Sequence, residues 1–420
     1  MNDSVIDVVV IGAGHAGLSI SYCLKKLEID HVVLERNKIG NSWSSQRWDS
    51  FKLNTPNAFN LLPGMENNFT DPDGFCSASE FVDSLKSYSK SNELPVMENS
   101  LVISIEKSPM SNLFSISVKQ NSGIINYRCK KLVIASGIQN VETIPAFASN
   151  ISKDIVQLHA SRYRNAGMLP KGAVLVVGSG QSGVQIAEDL ANHEKRVYLS
   201  TSMVARAPRR YRGKDIFEWL EVIGFNDHRP EDLPDPQMIK MKQPQISGVG
   251  KRGKTVSLQS LAKKGVVILG KTDTVSKEQI DIMPNAEVHV KFGDAFSNQV
   301  KTIVDNYIDK AKIDAPQPDI DLDDVPDDNA ECVSKETSIN LKEQNITSII
   351  WATGFKGDFS YLKFPIHNSE QAIKHNDGIA EMKGLYFLGF PWLRKRKSGI
   401  VSGIDEDSKF ISEKINGDLK

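Results

Sequence analysis

A chain of 420 residues is long enough for two or three domains with sizeable cores. With 40% hydrophobic and 25% charged residues it has an ordinary globular composition, and a net charge of −1 gives no case for nucleic acid or an anionic membrane as partner. No apolar run reaches the roughly eighteen residues of a membrane span. Asn2 and Asp3 precede the first apolar run without a basic segment, so no signal peptide is expected. Cys23, Cys76, Cys129 and Cys332 show neither CxxC spacing nor a metal-type histidine cluster, which reads as a reducing, cytoplasmic protein without a metal site.

The first predicted unit runs from Asp7 to Glu35. Val8 to Ile11 is a continuous apolar run, suited to a strand buried on both faces. Gly12-Ala13-Gly14-His15-Ala16-Gly17 follows at GxGxxG spacing, then a helix over Leu18 to Leu27 and a strand over His31 to Leu34, closed by Glu35. Gly12 permits the tight turn, Gly14 keeps no side chain between a pyrophosphate and the backbone, and Gly17 lets helix and strand pack closely. The helix start presents free amides and the positive dipole end to the phosphates. Glu35 stands where an adenosine ribose is held. The unit by itself suits FAD and NAD equally.

Lys38 to Gly64 is irregular and rich in Ser, Asn and Trp. Either Trp43 and Trp48 merely pack in a surface loop or the segment is functional, as long structureless loops often are. An amphipathic helix over Ser77 to Ser89 places Phe81, Leu85 and Tyr88 on one face. Strands are expected over Ser100 to Ile105, which carries Val102, and Leu113 to Val118, with a turn near Pro109. Tyr127 to Ile134 leads into Ala135-Ser136-Gly137, small residues where a ligand can approach the backbone. Val102 and Ser136 join the candidate cofactor contacts.

The pattern then repeats. Val174 to Val177 is a second continuous apolar run, Gly178, Gly180 and Gly183 repeat the spacing with Gln181 and Ser182 between them, Val184 to Ala191 is helical, and Val197 to Leu199 is a strand. One such glycine pattern arises by chance about once in 3,000 tries. Two copies, each between a buried strand and a helix, are a strong signal. Glu35 lies twenty-three residues after Gly12, and the same offset from Gly178 lands on Thr201, beside Ser200 and Ser202, with Arg206, Arg209, Arg210 and Arg212 following. A carboxylate would repel a ribose 2′-phosphate, whereas hydroxyls and arginines would hold it. The second unit is therefore expected to take NADPH and the first FAD. The alternative makes the arginines a solvated basic loop.

Beyond Glu231 the chain is loop-rich to Lys254. Leu258 to Ala262 and Val266 to Leu269 are ordered, and Val300 to Ala311 looks helical. Asp314 to Glu331 carries eight acids and no Lys or Arg. Asp319, Asp321 and Asp323 hint at a calcium loop, but Asp324 stands in the glycine position and Ala330 in that of the closing glutamate, so a solvated linker is expected. Ile346 to Trp351 is a buried strand ending in Ala352-Thr353-Gly354-Phe355, expected to return the chain to the first domain. Leu385 to Leu388 is a last strand, and Ser398 to Glu413 a glycine-bearing turn entering a closing helix. Its amides either face an anionic flavin pyrimidine or merely start a packing helix.

With both units in place, the chain resembles the class B flavoprotein monooxygenases, the flavin-containing monooxygenase-like group. Within it the chain is similar to bacterial flavin-dependent oxidoreductases related to the plant enzymes that oxidise indole-3-pyruvate. The resemblance covers nearly the whole chain and rests on both glycine motifs, on Trp43…Arg47-Trp48-Asp49 running to Asn54-Thr55-Pro56, and on Ala352-Thr353-Gly354-Phe355. The family pattern FxGxxxHxxxY is half present: His159 and Tyr163 fit, while Lys153 and Ile155 stand where Phe and Gly are expected.

The resemblance implies an α/β fold of two Rossmann-like dinucleotide-binding domains. The FAD domain is discontinuous (1–165 and 336–420) and an NADPH domain is inserted at 166–335, with the acidic linker near 314–331. It implies that Trp43, Arg47 and their neighbours touch the flavin, and that Asn54 helps place the nicotinamide or the oxygen adduct; for Asn54 a turn-forming role before Thr-Pro stands beside this. The implied activity is an NADPH-consuming monooxygenase that inserts one oxygen atom of O2 into a small organic substrate by way of a flavin C4a-(hydro)peroxide. An NADPH oxidase or reductase without oxygen transfer, and a flavin-bearing redox scaffold, are the alternatives. A disulfide reductase would need a cysteine pair against the flavin, and no two cysteines here are close in sequence.

Overall fold

The computed structural model describes residues 5–241, 243–368 and 372–420; Asn2 and Asp3 lie outside them. The chain opens with β1 (Val5–Ile11), α1 (His15–Lys26) and β2 (His31–Leu34). Valines 8 and 10 face one apolar cluster and Val9 and Ile11 another, so β1 is buried on both sides, as its continuous apolar run requires. A short α2 (Asn41–Ser45) starts the irregular segment. Next come α3 (Ala78–Ser91), capped by Ser77 and Glu80 in a reciprocal capping box, and β3 (Val96–Met97). The meander β4 (Leu101–Lys107), β5 (Phe114–Gln120) and β6 (Gly123–Ile134) completes the first sheet, in the order β3-β2-β1-β6-β5-β4.

The chain leaves this domain through β7 (Val141–Glu142) and enters a second, all-parallel sheet with β8 (Val156–His159). There follow β9 (Ala173–Val177), α4 (Gln181–Asn192) and β10 (Val197–Ser200), repeating the first unit. The ribbon β11 (Arg210–Tyr211) and β12 (Lys214–Asp215) leads into α5 (Ile216–Val222), and α6 (Leu258–Lys263) into β13 (Val267–Leu269). A small antiparallel sheet is made by β14 (Thr272–Val275), β15 (Gln279–Ile282) and, after α7 (Ala286–Ala311), β16 (Ser338–Asn340). Strand β17 (Ile346–Trp351) then completes the order β13-β10-β9-β17-β8. The chain returns through β18 (Phe355–Lys356), which pairs antiparallel with β7, adds β19 (Leu385–Phe387) to β6, and ends in α8 (Ile404–Leu419).

Three expectations are corrected. Ile346–Trp351 does not return the chain to the first domain: Ile349 pairs with Leu175 on one side and Gln157 on the other. By strand pairing the inserted domain therefore includes β8 and β17, and the crossings lie at β7 and β18 rather than near residues 165 and 336. A buried strand announces itself by its own residues, but its partners are set by the rest of the sheet. The helix expected from Val300 begins fourteen residues earlier, at Ala286.

The acidic segment is not a solvated linker. Asp324 is 5% exposed, and its carboxylate accepts from Arg206 Nη1, from Ser297 Oγ at 2.7 Å and from Lys301 Nζ at 2.9 Å. Asp321 accepts from Thr255 Oγ1 at 2.6 Å, while Ile320 and Leu322 point outward, 86% and 69% exposed. The segment is an acidic strap with part of its charge turned inward. Removing one partner of a buried pair leaves the other charge uncompensated, at about 3–5 kcal/mol. Asp324→Ala should therefore lower the unfolding free energy by about that amount in urea titration; a change below about 0.5 kcal/mol, the size expected at a surface site, would restore the solvated linker.

Candidate functional site

The two glycine turns repeat each other atom for atom. Gly12 and Gly178 have φ of +103° and +104°, and a Cβ on either would lie 2.7 or 2.6 Å from the carbonyl oxygen of Ala135 or Ala352. A Cβ on Gly17 or Gly183 would meet the carbonyl oxygen of Gly12 or Gly178 at 1.8 Å. Around Gly14 and Gly180, by contrast, a Cβ would meet nothing within 4 Å. The first and third glycines thus bring strand and helix together, and the second leaves an open cradle at the helix start. Neither Gly14 nor Gly180 caps its helix with a side chain, and neither helix has an acid in its first turn. The first amides are left to an anion from outside the chain. These features fit a dinucleotide at each turn.

Around the first turn, Glu35 Oε2 accepts from Ala13 N at 2.8 Å and Oε1 from Asn37 N at 2.9 Å, fixing the carboxylate at the end of β2. Val102 is buried on β4, whose approach is tied in where Ser100 N donates to Glu35 O at 2.8 Å. The irregular segment is hooked to the turn by Gly40 N, 3.1 Å from Ala13 O. From there Trp43 packs edge-on to Phe81, and the Arg47 guanidinium lies 4.9 Å over the Trp43 ring. Arg47 donates to Gln46 O and Gln139 Oε1, and burial lowers its pKa to about 10. Ser136 Oγ lies 3.1 Å from Tyr361 Oη. His15 stands at the start of α1 with ring Nε2 buried and unpartnered, and burial holds its pKa down to about 4. Ala16 on the same turn packs beneath Gly389, behind β19.

The closing helix follows its glycine-bearing turn, Val401–Gly403, as expected. Its first turn carries Asp405, Glu406 and Asp407, beside the basic run Arg394 to Lys397. Lys395 pairs with Glu406 at 2.7 Å and Arg394 with Asp407 at 3.2 Å. Ser402 Oγ, Asp405 Oδ1, Asp407 Oδ2 and Ser408 Oγ are buried without partners. Unpaired polar atoms concentrated in one place mark ground that a bound group or water would satisfy.

At the second turn, Gln181 clasps Ile246 through both ends of its amide. One turn on, Gln185 Nε2 donates to Asn54 Oδ1 at 2.9 Å, and Arg209 Nη1 donates to Asn54 O at 2.7 Å. Asn54, from the first domain, is thus gripped by two side chains of the second. Gln185 was not a sequence candidate; its only signal is its place four residues after Gln181, on the same helix face. Ser182 and Gly183 complete the first turn of α4.

The polar group expected to hold a 2′-phosphate is otherwise engaged. Ser200 Oγ donates to Gly270 O and accepts from Thr272, and Thr201 Oγ1 donates to Leu269 O at 2.6 Å beside His289 Nδ1. Arg206, 2% exposed, is paired with Asp294 and Asp324. Arg209, 1% exposed, is paired with Asp215 at 2.7 Å and lies over Phe75. Half-buried Arg210 donates to Gly213 O, and Arg212 pairs with Asp305 at 2.9 Å. Neither the solvated loop nor the phosphate clamp describes Arg206 and Arg209: burial demanded counter-ions, and the chain supplies them.

The HxxxY pair is structural. His159 Nε2 lies 2.9 Å from Gly354 O, and Tyr163 Oη donates to Asp189 at 2.6 Å. Among the described residues no group of three or more His, Cys, Asp or Glu is placed to hold a metal, and no helix is long and apolar enough to cross a membrane.

A family model described as pyridine nucleotide-disulphide oxidoreductase matches residues 9–223. The chain is 31% identical to an uncharacterized oxidoreductase, CzcO-like, of Geobacillus kaustophilus, over 98% of both chains. It is 26% identical to a probable indole-3-pyruvate monooxygenase, YUCCA3, of Arabidopsis thaliana, over 91% of this chain and 81% of the other. In structure it resembles a flavin-containing monooxygenase from Stenotrophomonas maltophilia at a TM-score of 0.65 and 16% identity, over 99% and 100% of the two chains, which is a likeness of fold.

The glycines separate binding from folding. Gly14→Val fills the open cradle and should give a folded, colourless protein, while Gly17→Val should fail to fold because its Cβ meets backbone. Flavin absorbance and thermal melting of the two variants read this directly. His15 gives a pH test. Its folded pKa lies below the unfolded value of about 6.5, so its contribution is intact above that pH and lost as pH falls toward about 4. Without flavin, the wild type should lose at most about 3 kcal/mol more than His15→Asn over that window; parallel losses would mean the ring is not held neutral.

Proposed function

The chain belongs to the pyridine nucleotide-disulphide oxidoreductase family, and we propose that it seats FAD at the first glycine turn and a reduced nicotinamide nucleotide at the second, and transfers one oxygen atom of O2 to a small organic substrate. The observation that carries the reading is the pair of matched cradles, open at Gly14 and Gly180, with Asn54 of the first domain held by Gln185 and Arg209 of the second. FAD, when bound, would supply the hydride-accepting and oxygen-reducing chemistry.

The chain's own residues bind, orient and exclude water. The amides of α1 and α4 would hold the two pyrophosphates, and Glu35 would take the adenosine ribose of FAD. Asn54 has its Oδ1 and backbone carbonyl already engaged, so its Nδ2 remains as a donor toward a nicotinamide amide or a reacting oxygen. A hairpin closed between Ser247 and Lys254 presses Gly248 onto Leu53, where a Cβ would meet Leu53 O at 2.0 Å, and so shields the approach beside Asn54.

Thiol chemistry finds no support in the cysteines. All four are free; Cys23 and Cys129 are buried with thiols pushed up to about 12, and Cys76 is pushed up to about 11. A redox dithiol needs the opposite, a thiolate within reach of a second sulfur.

The reading is tested in two steps. FAD-loaded protein mixed without air with NADH or NADPH should bleach; persistent yellow would end the proposal. Turnover with a substrate panel under ¹⁸O2 should place one labelled atom in product per coenzyme consumed, whereas peroxide alone would make the protein an oxidase. Asn54→Ala should retain flavin and lose about 100-fold in turnover, the usual cost of one preorganised donor.

A further inference from the structure

We infer that the second site does not read the ribose 2′-phosphate and accepts NADH about as readily as NADPH. This rests on the assignment of the nicotinamide nucleotide to the second turn. The second glycine turn repeats the hydrogen bonds of the first. Gly12 N donates to Leu34 O as Gly178 N donates to Ser200 O, and Leu18 N to Gly14 O as Val184 N to Gly180 O. Superposing the units on these pairs puts Thr201 where Glu35 stands, at the ribose end of the site.

That end is closed rather than charged. The Ser200 and Thr201 hydroxyls are 1–2% exposed residues' groups, engaged with Gly270, Thr272, Leu269 and His289. His289 comes from α7, which roofs the end of β10. One turn further along α7, a Cβ on Gly293 would rest against the Arg206 side chain, and Asp294 takes the guanidinium. Asp294 also accepts from Gln259 Nε2 at 2.8 Å and Asp327 N at 3.0 Å, and Asp324 joins Arg206 to Lys301. Two cations and two carboxylates cancel, so the cluster offers no net attraction to a phosphate. Arg209 turns the other way, to Asn54. Arg210, whose Nη1 is buried without a partner, lines a cavity with Asn298, Lys301 and Asp305 farther along α7, and Arg212 pairs with Asp305 itself. At the helical rise, that is about 13 Å or more beyond His289. Among the described residues the cation next in line is Lys271, exposed and adjacent to Gly270; a solvated ammonium contributes at most about tenfold.

The test uses FAD-loaded protein. Dissociation constants for ADP-ribose and 2′-phospho-ADP-ribose, by calorimetry, should agree within about tenfold, with rates of anaerobic flavin reduction by NADH and NADPH in step. The ratio should be unchanged in Arg210→Ala/Arg212→Ala. A preference for the phosphorylated ligand beyond about tenfold would overturn the inference, and its collapse in Lys271→Ala or in the double variant would locate the phosphate. If neither nucleotide binds and neither coenzyme bleaches the flavin, the second-turn assignment falls and this inference with it. Tight, equal binding with bleaching but no oxygen transfer would leave this inference standing and remove only the monooxygenase reading.

Discussion

Two helices in this molecule, α1 and α4, begin on a glycine beside open space with neither a side-chain cap nor an acid in the first turn, and the rest of the structure is arranged about their bare amides. Elsewhere the chain caps carefully: Ser77 and Glu80 close the start of α3, Asp215 and Glu218 that of α5, and Ser257 and Ser260 that of α6. The starts of α7 and α8 also lack a side-chain cap but carry acids in their first turns; among the described residues, only α1 and α4 are helices of ten or more residues that start with neither. An uncapped helix start forgoes about 1 kcal/mol of stability. That cost is tolerable where a bound pyrophosphate would make up the missing hydrogen bonds.

Both turns were legible in the sequence because everything that makes them is local. Three glycines, the strand before and the helix after lie within about thirty residues, and β2 has the bounds its apolar run suggests. What was not legible depends on distant partners. Trp351 reads as buried in any sheet, and only its pairing with Val177 and His159 assigns it to the second. Arg206 reads as a surface cation until Asp324, 118 residues away, is folded against it. The strap itself, dense in acids, reads as solvent-loving; its inward carboxylates become visible only with the cations they neutralise. Asn54 is legible only through the family resemblance, and Gln185, which holds it, only through its spacing from Gln181.

The two domains are joined by more than chain connectivity. One apolar cluster runs from Val8 through Trp48, Phe51 and Leu53 to Tyr163, Val174 and Val184 without a break. Polar ties reinforce it: Asp189 accepts from both Ser50 and Tyr163, and Asp227 pairs with Lys395 and Lys397 at 2.9 and 3.0 Å. A continuous dry core resists sliding, while the exposed ion pairs contribute little by themselves and serve to fix orientation. The arrangement keeps Asn54 in one place against Gln185 and Arg209.

The antiparallel rungs between Val141–Glu142 and Phe355–Lys356 give this architecture a narrow neck. Entry and exit of the inserted domain lie side by side, so topologically the whole domain is one long excursion pinched shut at its base. Closing so long a loop costs little more than closing a short one, since the entropy grows only with the logarithm of length. Because the excursion returns to within a hydrogen bond of where it left, β1 and β6 stay paired as they would without it, and the first sheet shares with the inserted domain only the apolar face that Val8 and Val10 present.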